Sequence, residues 1–84
     1  MKLRITSTIA NEYDDRSPDY LPLDKLREGW VELTEAEVRA VLEDALFNSD
    51  TDAFNVGEYG MPLGTFNAYR ALAKQCRKVL GEGA

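Results

Sequence analysis

The sequence predicts a small α+β domain, two or three strands packed against two principal helices, and three observations carry that prediction. The run KLRITSTI, residues 2–9, alternates between apolar and polar side chains, as a strand with one buried side does. A second short apolar run, Trp30–Leu33, leads directly into a complete helix-start signal. Two segments, residues 34–48 and 65–80, then repeat apolar residues at the spacing of one helical face. Eighty-four residues leave room for one small core and no second one, so 1–84 reads as a single domain.

Along the amino-terminal strand, Leu3, Ile5 and Ile9 share one face, while Lys2, Arg4, Thr6 and Thr8 share the other. Residues 10–22, ANEYDDRSPDYLP, are acidic and broken by Pro18 and Pro22, which reads as a loop or a short irregular helix. Asp24 is placed to cap one turn over Lys25–Glu28, with Gly29 ending it. Trp30–Leu33 then suits a strand in which Trp30 and Glu32 face opposite to Val31 and Leu33.

The first principal helix has the clearest start. Thr34 serves as N-cap and Glu37, three residues on, reaches back to its amide; Leu33 and Val38 are spaced to form the hydrophobic staple. Val38, Val41, Leu42, Ala45 and Leu46 form its buried face, and the helix should run to Phe47 or Asn48. Glu35, Arg39 and Glu43, four residues apart, can pair along its flank. Ala36, Ala40, Glu43, Asp44 and Phe47 lie away from the core, with Phe47 expected past the regular helix end and folded back onto it. Residues 48–64 then read as a long connection carrying Phe54, Tyr59, Met61 and Leu63, in preference to a third strand at 53–56.

The last helix should run from Thr65, its N-cap, to Leu80, with Gly81 in the position of a glycine C-cap. Phe66, Tyr69, Leu72, Ala73, Cys76, Val79 and Leu80 make its apolar face. Arg70, Lys74, Arg77 and Lys78 gather on one flank, toward the end where the helix dipole favours cations. The expected core is Val38, Leu42, Leu46, Phe66, Tyr69, Leu72 and Cys76.

Charge is unevenly distributed. The chain has 15 acids and 10 bases, and the acids concentrate in residues 11–58, which sum to −10 between ends of +2 and +3. Such a middle repels a nucleic-acid backbone and attracts basic protein surfaces. The basic flank of the last helix is expected to pair with it inside the molecule. A single cysteine cannot close an internal disulfide, and no run approaches membrane-spanning length, so the expected location is the cytoplasm.

Catalysis and metal binding find little to work with. There is no histidine, and Cys76 falls in the middle of an apolar helical face, where a thiol is inert. The alternation Asn48, Asp50, Asp52 suggests a calcium loop, but Ala53 stands where that loop needs glycine and Tyr59 where it needs a bidentate glutamate. No catalytic residue, cofactor or metal ligand is expected. The segment with most binding character is EYDDRSPDY, residues 12–20, in which two tyrosines sit among acids. Tyrosine supplies rigid contact area, and the carboxylates steer toward basic partners.

Taken in order, a terminal strand, NEYDDR with a proline-rich turn, a WVELT strand, a helix ending DALFNSD and a basic last helix resemble the small acidic proteins of bacteriophages and mobile elements. Anti-CRISPR proteins and other inhibitors of host machinery belong to this class. The resemblance implies tight binding without chemistry, directed at a host protein or ribonucleoprotein with a basic surface. Direct nucleic-acid or membrane binding is not expected; homo-oligomerisation is allowed. Glu12, Asp14, Asp15, Asp19 and Tyr20 are the expected contact residues, with Glu43 and Asp44 as a second patch. The alternative is an assembly protein that oligomerises or joins a larger particle through its apolar 54–63 loop.

Overall fold

The computed structural model of the chain describes residues 1–14, 20–49 and 62–81. Within them the element order is β1 (Lys2–Ile5), α1 (Ser7–Asp14), β2 (Gly29–Glu32), α2 (Glu35–Ser49) and α3 (Leu63–Val79). This is the expected α+β class, with one helix more than the two principal ones. The expectations for residues 53–56, and for Phe54, Tyr59 and Met61, lie outside the described residues, as do Asp15 and Asp19.

β1 and β2 pair antiparallel, with Leu3 opposite Val31 and Arg4 opposite Trp30. Met1 and Leu33 extend the ladder by exchanging both backbone hydrogen bonds, at 2.6 and 2.7 Å. The two-residue period then decides the faces. Leu3, Ile5 and Leu33 are buried and Val31 half-buried, while Lys2, Arg4, Trp30 and Glu32 point to solvent.

β1 is shorter than the alternation suggests. The chain turns helical at Ser7, and the Thr6 carbonyl accepts the first helical bond from Ala10 N–H at 2.9 Å. Ile9 fits both readings, because it sits four residues beyond Ile5 and four before Tyr13. Ile9 and Tyr13 form the buried face of α1. The Asp24 turn is also displaced: it closes between Pro22 and Leu26, with Lys25 N–H donating to the Pro22 carbonyl at 2.9 Å. Gly29 opens β2 instead of ending that turn, at a φ of 110° that a residue with a Cβ rarely adopts.

α2 begins as its sequence dictates. Thr34 N–H donates to Glu37 Oε1 at 2.8 Å, and Glu37 N–H donates to Thr34 Oγ1 at 3.1 Å, a complete capping box. Glu35 and Arg39 form one of the flank ion pairs, at 3.6 Å. α3 starts two residues before the expected cap, behind Pro62 and without a side-chain cap. It ends as expected: Gly81 takes a φ of 78° and its N–H closes on the Lys78 carbonyl at 3.2 Å.

The core draws Leu3, Ile5, Ile9, Tyr13, Val38, Val41, Leu42, Ala45, Tyr69, Leu72, Ala73 and Cys76 from β1 and the three helices, with Leu33 just past β2, and is closed by Leu21 and Leu26 from the connection. Leu46 and Phe66, expected inside, are only half-buried. α3, more than α2, is the hub, since it packs against α2, α1 and β1. The Tyr13 and Tyr69 rings meet edge to face, centroids 6.2 Å apart, which fixes α1 to α3. Gln75 ties α3 to the sheet: its Oε1 accepts from Arg4 N–H at 2.6 Å, and its Nε2 donates to the Arg4 carbonyl at 3.0 Å.

Candidate interaction surface

Glu37, Asp44 and Asn48 share one flank of α2, seven and four residues apart. Tyr20 and Lys25, from the connection before β2, reach this flank. At one end Lys25 Nζ grips both Glu37 oxygens, at 3.1 and 2.9 Å. At the other, Tyr20 Oη donates to Asp44 Oδ1 at 3.2 Å, and Asn48 Nδ2 donates to Asp44 Oδ2 at 3.1 Å. These contacts explain why Asp44, 2% exposed, is buried on a face that helical spacing points away from the core.

The expected site residues therefore divide. Asp44 is corrected from a surface contact to a buried acceptor that positions Tyr20. Tyr20 itself is 58% exposed, its hydroxyl anchored and much of its surface open. Glu43 is exposed on the outer side of α2. Glu12 is half-buried on α1, whereas Asp14 is exposed. Asp14 lines a groove of about 380 Å³ with Asn11, Asp24, Arg27 and Glu28, among others, so it faces the connection instead of Tyr20.

Phe47 departs from its expected place in the opposite sense to Asp44. It lies inside the helix, 79% exposed, and lines a shallow depression with Glu43, Leu46 and Ser49. The helix continues through Ser49, whose Oγ donates to the Ala45 carbonyl at 2.8 Å, so Phe47 is carried outward with no chain end to fold it back. The signal was present in the stripe Ala36–Ala40–Glu43–Phe47, which keeps one outward direction for three turns. Trp30, 69% exposed opposite Arg4 on the sheet, is a second outward aromatic at a distance along the chain.

Beside the Phe47 depression, and sharing Leu46 and Ser49 with it, runs a groove of about 460 Å³ between α2 and α3. Asn67, Arg70, Lys74 and Arg77 line its α3 side. Among the described residues these cations are not paired with the acidic middle: the ion pairs there join Lys25 to Glu37, Arg39 to Glu35 and the amino terminus to Glu32, and pairing with Asp15, Asp19, Asp50, Asp52 or Glu58 lies outside the described residues. Arg70 instead sits over the Phe66 ring, 5.8 Å from its centroid.

The chemistry of the remaining groups is quiet. Burial pushes the Cys76 thiol up to about 12, so it is not a nucleophile near neutrality. The Thr34 amide and then the Lys25 ammonium hold Glu37 below the ordinary carboxylate range, and Glu37 raises Lys25 in return. Among the described residues no group of three or more acidic or cysteine side chains is arranged to hold a metal ion, and no helix is long and apolar enough to cross a membrane. No family model matches the chain, and neither a curated protein nor a solved structure is significantly similar to it.

Proposed function

We propose that this protein acts by binding, without chemistry, and that it blocks a nucleic-acid-handling host complex by occupying a basic surface, as phage-encoded inhibitors of the anti-CRISPR type do. The observation that supports this reading is the Tyr20–Asp44 hydrogen bond. It ties Tyr20 to Asp44, so the exposed Tyr20 ring lies beside the stretch of α2 that carries Glu43 and Phe47. Tyr20 and Phe47 offer aromatic contact area, and the exposed Glu43 beside Phe47 offers charge. Exposed aromatics beside a polar rim are the usual anchors of a protein interface.

The test is inhibition of purified CRISPR effector complexes by the protein, with Phe47→Ala and Glu43→Lys as variants. Wild type is expected to block target binding. Phe47→Ala should weaken the block about tenfold or more, the ordinary effect of removing an interface anchor. Inhibition by the double variant equal to that of wild type would exclude this surface. Failure to inhibit any basic-channel complex would remove the reading altogether. The assembly alternative rests on residues 54–63, of which Leu63, 58% exposed at the start of α3, is a described apolar member. It predicts a concentration-dependent increase in mass that salt barely weakens, whereas binding led by Glu43 weakens as salt rises.

A further inference from the structure

We infer that the groove between α2 and α3 is a phosphate-backbone site for a short single strand of nucleic acid. Arg70, Lys74 and Arg77 line one wall at helical spacing, spread over about 10 Å of helix axis. That length takes in two or three successive phosphates of a single strand. None of the three is neutralised by an ion pair to a described residue, although the chain holds more acids than bases. Three like charges on one concave wall repel one another, and a ligand bearing several anionic oxygens relieves that repulsion. The helix dipole accounts for cations in the last turn, at Arg77 and Lys78, but not for Arg70 and Lys74, which lie further back.

Two details favour nucleic acid over an acidic peptide. Arg70 lies over the Phe66 ring and is exposed, and its planar guanidinium can make bidentate contact with phosphate oxygens. Phe47, which lines the adjoining depression and not the groove itself, is a largely exposed ring on which a base leaving the groove can stack. A basic track beside an aromatic platform is how sequence-tolerant single-strand binders work. Asn67 adds a neutral donor to the same wall. The acidic middle of the chain weakens the long-range attraction, so binding is expected at low salt and falls away steeply. The inference does not rest on the acidic-surface reading, and Phe47 alone belongs to both.

Fluorescence anisotropy with a labelled twelve-nucleotide oligo-uridine, titrated across a salt series, tests it. Wild type should bind with a log–log salt slope of about −1.4 to −2.1, the value for two to three single-strand phosphate contacts. Arg70→Gln, Lys74→Gln and Arg77→Gln should each weaken binding and reduce the slope by about 0.7. Phe47→Ala should lower affinity and leave the slope unchanged. Lys2→Gln with Arg27→Gln should change neither. Glu43→Lys separates this inference from the proposed function, because it should strengthen oligonucleotide binding while abolishing capture of a basic protein surface. No binding at 20 mM salt (about the regime where exposed charges are least screened), or binding that the triple glutamine variant retains, would overturn the site. Equal affinity for a poly-glutamate peptide would also overturn it and assign the groove to an acidic protein segment.

Discussion

Asp44 shows how one side chain changes meaning once its neighbours are known. In sequence it is half of an acidic pair, Glu43–Asp44, and one reading serves for both. In the fold a 100° step around the helix separates an exposed carboxylate from one that is 2% exposed and accepts from Tyr20 and Asn48. Removing a buried acceptor leaves its donors unsatisfied, which costs more than the bond itself contributes. Asp44→Ala should therefore destabilise the protein by about 1–3 kcal/mol in urea unfolding, and Tyr20→Phe by about 0.5–1.5 kcal/mol. Tyr20→Phe should also release the ring, seen as a loss of its fixed chemical-shift environment in NMR spectra. An Asp44→Ala variant as stable as wild type would show that the carboxylate does not hold the connection in place.

At the level of elements, the clearest forecast concerns the capping box. Thr34→Ala should cost about 1 kcal/mol, the ordinary value of an N-cap. Its pH signature follows from Glu37, whose folded pKa is lowered from 4.5 by the Thr34 amide and Lys25. A lowered carboxyl pKa means the contribution is complete above 4.5 and is lost as pH falls through the folded value. Glu37→Gln should flatten stability against pH on the acid side of 4.5 and leave the profile from 5 to 9 parallel to wild type. The elements differed in how far sequence revealed them, for local reasons. Thr34 to Glu37 and Gly81 are signals complete within a few residues, and both held. The faces of β2 followed from a period that its four residues could not blur. α1 was hidden because Ile9 satisfies the two-residue and the helical period alike, and the switch at Thr6 carries only a weak side-chain contact, Ile9 N–H to Thr6 Oγ1 at 3.4 Å. Glycine commonly ends helical turns, which makes Gly29 look like a stop, yet the same conformational freedom also lets it start a strand. For the surface, Tyr20 and Glu43 are legible as exposed, whereas the burial of Asp44 depends on which segments meet, and no local pattern encodes that.

Across the whole molecule, α3 decides which parts of the chain cooperate. Gln75 completes the outer edge of β1 with a side-chain amide in place of a neighbouring strand, and it does so across 71 residues. Gln75→Ala should cost about 0.5–1.5 kcal/mol. It should also speed amide exchange at Arg4, because that N–H then faces solvent; exchange at Arg4 as slow as in wild type would deny the clasp any role. The order of synthesis gives the clasp a further consequence. β1 is made before the partners of either edge: β2 begins 27 residues after Lys2, and Gln75 follows Arg4 by 71 residues. Until then the nascent chain carries a strand with an uncovered edge, open to pairing with a neighbouring copy on the same polysome. The price of closing a sheet with α3 is a vulnerable interval during translation, which lasts until Gln75 is made.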